Sequence, residues 1–334
     1  IESVPYGFMM GDIGYIRVQN FARTTADELR AKLDELEQAG MRGLILDLRF
    51  NPGGLLGAAQ AVSELFLERD QLVVFTKGRL PEQNQSFYSR ARGKVYNKVP
   101  MIVMINHSSA SASEIVSAAI QDHDAGLVVG QTSFGKGSVQ TVFRLDDDEA
   151  LKLTTARYYT PSGRSIHREE KKPEAPAEAA MEGELPSGHP ELEQEPEARE
   201  VPRFAREKFY TDSGRTVYGG GGITPDIEIE QEYLTDFEIA VERDGALFSW
   251  AVEYANAHQG VPLDWHPSAG ELQEFKGFLG ARENIAEYLA DFELALSDSL
   301  LEANSAFLER GLRREVSRRL HGSQAAYQVA IEAD

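Results

Sequence analysis

The apolar positions of this 334-residue chain change their period repeatedly, and each change marks an element. From Asp12 to Phe21 (DIGYIRVQNF), Ile13, Tyr15 and Val18 stand among polar residues, with Ile16 beside them, which is the pattern of a half-buried strand. Ala26, Leu29, Leu33 and Leu36 then follow at helical spacing behind Thr24 and Thr25, with Asp27 and Glu28 in the first turn and Gly40 as the stop. Residues 43–48 (GLILDL) are an unbroken apolar run, expected as a strand buried on both faces. Strand, helix and parallel strand make a βαβ unit. Asn51-Pro52-Gly53-Gly54 follows, then a helical pattern through Leu55, Leu56, Ala59, Val62, Leu65 and Phe66.

The middle of the chain repeats this grammar. Residues 72–76 and 99–105 read as strands, separated by a polar, basic and aromatic excursion over 78–98. A helix is expected from Ser111 through Ile115, Val116, Ala119 and Ile120, then a strand over 126–130. Residues 138–144 and 150–159, rich in Val, Thr and Tyr, read as an antiparallel pair joined by an acidic turn at Asp146-Asp147-Asp148. After Thr160-Pro161-Ser162-Gly163-Arg164 the composition shifts. Residues 168–208 form an insertion whose Glu-, Pro- and Ala-rich stretch carries too little apolar surface to bury a core, so disorder is expected there. A second Ser-Gly-Arg (213–215), four glycines (219–222) and Ile223-Thr224-Pro225-Asp226 lead into a closing strand, IEIE. From about 235 the pattern is helical. Phe237, Ala240, Leu247, Phe248, Ala251 and Tyr254 fit one helix, and Leu279, Ile285, Tyr288, Leu289, Phe292, Leu296, Leu300 and Leu301 fit long amphipathic ones, extended by Phe307, Leu312 and Val316.

The pattern thus predicts an α/β core over 12–234 and a C-terminal helical domain over 235–334, with 1–11 as a linker. Composition narrows the function. A formal net charge of −20 excludes a phosphate-binding nucleic-acid surface and electrostatic docking on anionic lipid. The absence of cysteine removes disulfides, thiolate catalysis and cysteine metal sites. No apolar run is long enough to span a membrane. The chain starts at Ile1 with no initiator Met and no leader, so an excerpt of a longer precursor is expected, and the missing leader is no evidence against export.

The chemistry concentrates between Asn106 and Gln140 (NHSSASASEIVSAAIQDHDAGLVVGQTSFGKGSVQ). Gly130-x-x-x-x-Gly135-Lys136 approaches a phosphate loop, but Gly137 stands where Ser or Thr is needed and a strand follows instead of a helix. A Ser-His-Asp triad could draw on His107, His123, His167 and Asp47, but none stands at a recognised spacing and GxSxG is absent. Serine plus lysine remains. A serine hydroxyl needs a base, and a lysine serves as one only when buried away from other charges. Lys136 has no acidic neighbour in sequence. In a strand, Lys136, Ser138 and Gln140 share a face, so Gln140 could hold the amine. The Gly53-Gly54 turn at a strand end offers backbone N–H groups to an oxyanion. Taken singly, a lysine among glycines is more often a surface residue and Gly-Gly more often a plain turn, so the residues alone leave this open.

The phrases GYIRVQNF, LILDLRFNPGG, SSASASEIVSAAIQD, GQTSFGKGSVQ, LKLTTARYYTPSGRSI and GGITPDIEI, in this order over residues 12 to about 230, resemble the carboxyl-terminal processing peptidases, also called tail-specific proteases. The resemblance implies a crotonase- and Clp-protease-like spiral core. It implies Ser111 as nucleophile, Lys136 as general base and Gln140 as its orienting partner. The N–H groups of Ala112 and of Gly53 or Gly54 would form the oxyanion hole. No cofactor or metal is expected. The implied substrates are extracytoplasmic proteins with unstructured C-termini, in the periplasm or an equivalent compartment, with membrane association through a missing N-terminus. The family usually carries a PDZ domain ahead of the GYIR strand, where this chain begins, so 1–11 would be the linker from it. The C-terminal helices would dimerise the protein or dock an adaptor. Two other classes stay in view: a non-catalytic or latent scaffold that binds protein tails, and a crotonase-like acyl-thioester enzyme, for which no coenzyme-binding feature is present.

Overall fold

The computed structural model describes residues 2–91, 93–145, 149–168, 207–230 and 233–332. Apart from its ends at Arg168, Glu207 and Lys208, the acidic insertion lies outside the described residues, as does the acidic turn at 146–148. The chain is mixed α/β and divides into two compact units. One holds Ile1–Val4 and Ile16–Ile229, the other Pro5–Tyr15 and Glu230–Asp334.

In the first unit, β3 (Gly43–Asp47), β6 (Met101–Ile105), β7 (Leu127–Gly130) and β12 (Ile227–Glu228) run parallel in that order. Helix α1 (Thr25–Gln38) leads into β3, the crossover from β3 to β6 includes α2 (Leu56–Ser63), and that from β6 to β7 is α3 (Ala112–Asp122), whereas among the described residues the long connection from β7 to β12 carries strands and no helix. Helix α2 packs against both α1 and α3. Helix α1 buries Leu29, Leu33 and Leu36 and stops at Gly40, whose φ of +85° suits glycine. The runs expected to be buried on both faces are buried more completely on one. Leu44 and Leu46 are inside, whereas the cross-strand row Ile45, Ile102 and Leu127 opens to solvent at its last two members. A run of apolar residues cannot indicate which of its faces will be covered. Helix α2 ends at Ser63, and Leu65 and Phe66 are buried in the turn beyond it instead of on the helix.

A second, antiparallel sheet has the order β5-β4-β9-β8, built from β4 (Leu72–Gly78), β5 (Ser86–Tyr88), β8 (Ser138–Arg144) and β9 (Ala150–Tyr159). The β8–β9 pair is the hairpin that the Val/Thr/Tyr pattern predicts. A small pair, β10 (Lys208–Tyr210) and β11 (Thr216–Tyr218), follows.

In the second unit the helices are shorter than their apolar pattern suggests. Gly245, in the left-handed region at φ +71°, splits the first into α4 (Asp236–Asp244) and α5 (Ala246–Ala257). Ser268 and Ser297 accept N–H bonds from Glu271 and Leu300 and so start α6 (Ala269–Gly280) and α8 (Asp298–Ala303), with α7 (Glu283–Ala290) between them. Phe292 is left exposed after α7. The longer α9 (Ser305–His321) and α10 (Ser323–Ile331) close the unit. Its core includes Phe237, Trp250, Phe275, Leu289 and Leu312. Residues 1–11, expected as a linker, contain strand β1 (Tyr6–Met10). Tyr6 stacks on Tyr327, whose hydroxyl meets that of Tyr15 at 3.1 Å. Among the described residues no helix is long and apolar enough to cross a membrane.

Candidate active site

Strand β6 ends at Ile105, and the chain turns through Asn106–Ala110 to deliver Ser111 at the start of α3. Ser111 has φ +56° and ψ −110°, a conformation that residues with a Cβ rarely adopt. Such strain persists where the surroundings overdetermine it. Here the Ser111 N–H donates to Glu114 Oε2 at 2.7 Å. The Ser111 hydroxyl makes no hydrogen bond among the described residues, so it remains available for chemistry. It lies at the positive end of the α3 dipole, where developing negative charge is favoured.

The glycine turn is fastened to this elbow through Asn51, which is fully buried. Asn51 O accepts from the Ala110 N–H (3.0 Å) and the Ser113 hydroxyl (2.9 Å). Its side chain donates to Val18 O and accepts from the Gly53 N–H, both at 2.9 Å. The Ser109 hydroxyl donates to Leu48 O at 2.8 Å. A Cβ at Gly53 would lie 2.6 Å from Ala110 O and 2.8 Å from both Ala112 N and Ser111 Cβ, so only glycine fits against Ser111. A Cβ at Gly54 would overlap Phe21 O instead. The two glycines, which sequence left undivided, thus have different surroundings. The Gly53 N–H is engaged by Asn51. Those of Gly54 and Ala112 make no hydrogen bond among the described residues.

The lysine arrives on a loop between β7 and β8, and Glu114 ties it to the serine. Glu114 is fully buried. Its Oε2 accepts the main-chain N–H of Ser111 and that of Lys136 (2.9 Å). Its Oε1 accepts the Gly135 N–H (2.7 Å) and the Ser133 hydroxyl (2.6 Å). Ser133 Oγ itself accepts from the Ile223 N–H at 2.6 Å, which turns its proton toward Glu114. Burial pushes the Glu114 carboxyl above its usual range, and the four donors pull against that. Four donors on two oxygens suit the ionised carboxylate, which accepts and cannot donate.

Main chains meet here, but side chains do not. Lys136 is exposed, where burial was expected, and its amine makes no hydrogen bond or ion pair among the described residues. Gln140 is exposed as well. Strand β8 begins only at Ser138, so Lys136 lies outside it and the strand alternation expected to align Lys136 with Gln140 does not extend to the lysine. Two of the alternative triad residues are occupied elsewhere. His123 bonds Asp212 and Leu72 O, both at 2.7 Å. Asp47, fully buried, pairs with Arg17 at 2.9 Å and Arg49 at 2.8 Å behind the glycine turn. Sequence reasoning passed over Glu114 and Asn51. Ser111-x-x-Glu114 is a capping-box spacing and could have flagged the first. Nothing local flags Asn51.

Several known proteins are similar to this chain. Residues 12–176 match peptidase family S41. The chain is 46% identical over 170 residues to a carboxy-terminal-processing protease of Bartonella bacilliformis, covering 50% of this chain and 38% of that protein. It is 37% identical over 186 residues to the carboxy-terminal processing protease CtpA of Bacillus subtilis, covering 56% of this chain and 39% of that protein. Among solved structures, a photosystem II D1 C-terminal processing protease superimposes with a TM-score of 0.43 and 33% identity, over 46% of this chain and 39% of that chain. The chain therefore spans well under half the length of these relatives.

Proposed function

The chain belongs to peptidase family S41 through residues 12–176, and from that premise we propose a serine endopeptidase that cuts extracytoplasmic proteins near their C-terminal tails. In this reading Ser111 attacks the scissile carbonyl. Lys136 takes the hydroxyl proton, returns it to the leaving amine and later activates the hydrolytic water. Gln140 orients the lysine amine. The tetrahedral oxyanion lies between the Ala112 N–H and the Gly54 N–H, since the Gly53 N–H is held by Asn51. The relatives' names, which describe carboxy-terminal processing, support the substrate class.

The observation that carries the reading is the shared Glu114 carboxylate. It holds the main chains of Ser111 and Lys136 on one oxygen, and the four-carbon lysine stem can swing from there. Apo sites often leave catalytic contacts long until substrate binds. The test is cleavage of an unfolded protein with a free apolar C-terminus. Cleavage by the parent protein that disappears in Ser111→Ala and in Lys136→Ala supports the reading. Undiminished cleavage by either variant removes it.

The exposed, unpartnered Lys136 favours a second reading: a latent form, or a scaffold that binds tails without cutting them, until a partner or further domain covers the lysine. Cleavage that appears only with an added partner would distinguish latency. Association of two copies through the C-terminal helices belongs to the same proposal and is read by sedimentation.

A further inference from the structure

Strand β8 begins two residues beyond Lys136 and is the outermost strand of its sheet. Strand β9 takes one of its edges, and the other has no strand partner among the described residues. Register decides which groups face outward. The Leu145 N–H donates to Glu149 O, and the pairs step back through Phe143↔Leu151 and Thr141↔Leu153. Bonded and non-bonded pairs alternate along an antiparallel ladder. Thr141 and Phe143 therefore turn their main-chain groups toward β9, and Val142 and Arg144 turn theirs to the open edge.

The side chains make this edge unusual. Phe143, Leu151 and Leu153 share one face of the hairpin and are 45%, 42% and 45% exposed, and Val142 on the other face is 60% exposed. Open edges with apolar side chains invite an added strand, and proteins ordinarily blunt them. This one leads directly into the loop that carries Lys136.

We propose that the β8 edge is the track on which the substrate polypeptide is held. An unfolded segment with apolar residues at alternate positions adds as a strand, bonds the main chain of Val142 and Arg144, and sets its apolar side chains beside Phe143 on the face that Leu151 and Leu153 continue. Val142 lies six residues from Lys136, about 20 Å of extended chain, so the track engages substrate well away from the scissile bond. Main-chain pairing tolerates varied sequences, which suits a protease acting on unfolded tails. Continuity with the lysine loop favours substrate over a second copy of this chain as the occupant. The inference rests on the peptidase reading and is tested separately from it.

The probe is a fluorescent twelve-residue peptide with alternating Leu and Ser, made as a series with one N-methylated amide each. Binding is measured by anisotropy on the full Ser111→Ala protein, which cannot turn it over. Strand addition predicts that methylating alternate amides weakens binding about tenfold and that the intervening ones change it less than about twofold. Val142→Pro, which removes an outward N–H and no ladder bond, should weaken binding similarly, and Val142→Ala should not. A response without alternation, or no binding, overturns the proposal even if Val142→Pro fails to fold. Loss of self-association in Val142→Pro with unchanged peptide binding assigns the edge to a second copy and also overturns it. Cleavage of the same peptide by the parent protein, absent in Ser111→Ala, reports on the peptidase. Alternation without cleavage keeps the track and removes the protease, and cleavage without alternation does the reverse.

Discussion

Ser111 and Lys136 donate main-chain N–H groups to the same Glu114 oxygen, yet their side chains sit in opposite environments. Around the serine every neighbour is fixed. Asn51, Glu114 and Ser133 are fully buried and bonded, and Gly53 leaves no room for a Cβ. Around the lysine the side chain is exposed and, among the described residues, unpartnered, and the strand that follows has no strand partner on one edge among them. The difference matches what the proposed peptidase would ask of each half. An oxyanion hole works by being preorganised, since reorienting dipoles during reaction costs the stabilisation they offer. A lysine becomes a base only when water is removed from it, and an incoming chain can do that.

The largest expected effect tests whether both halves belong to one site. Ser111→Ala and Lys136→Ala should each lower kcat for an unfolded substrate by about 10³-fold or more, as removal of a nucleophile or its base does elsewhere. If Lys136→Ala cuts normally, the lysine half is ornamental. Next, Glu114→Gln should lower kcat by about 10²-fold, through misplacement of both partners, and lower the melting temperature. The amide would turn a donor onto main-chain N–H groups, leaving a buried donor unsatisfied at a cost of about 1–3 kcal/mol. Equal activity in Glu114→Gln would mean that the two main chains need no shared anchor.

Gly53→Ala tests the serine side alone. The new methyl must displace Ala110 O or Ser111, so kcat should fall about 10²-fold while peptide binding at the β8 edge, measured by anisotropy, holds. Gly57→Ala is the control, because its Cβ meets open space. A smaller effect is expected at the far end of α3, remote from the comparison. Burial raises the Asp124 carboxyl, but bonds from Ser213 and Arg215 outweigh it, and the net shift is downward. A carboxyl lowered on folding adds stability that is present above its unfolded value and lost as pH falls toward the folded one. Asp124→Asn should therefore cost about 1 kcal/mol at neutral pH and flatten the acid limb of a thermal-melt series, with kcat unchanged. An unaltered acid limb would mean that the Arg215 pair does not couple to folding.

Much of this was legible in the residues themselves. The apolar run GLILDL, the helical leucines of α1 and the Val/Thr-rich hairpin all announce their elements, because each depends on neighbours a few positions away; DIGYIRV announces a strand, Ile13–Arg17, but its burial is nearly continuous where alternation was expected. The Gly53-Gly54 turn and Ser111 at a helix start were likewise readable. The C-terminal helices were over-extended, because an apolar stripe runs on through breaks made by Gly245 and Ser297. Glu114 could have been read from its spacing to Ser111, but not its reach to Gly135 and Lys136.

Local pattern, then, determined the elements, the acidic and cysteine-free character, and the residues able to do chemistry. Tertiary structure decided which of them meet: that one buried carboxylate gathers Ser111, Ser133, Gly135 and Lys136, that Asn51 locks the glycine turn to the elbow, and that Gly53 and Gly54 have different neighbours. It also decided that strand β8 starts only beyond Lys136 and that the lysine side chain is exposed. These outcomes depend on contacts between positions 19 to 90 residues apart, and neither spacing nor composition encodes which distant partner a buried polar group will find.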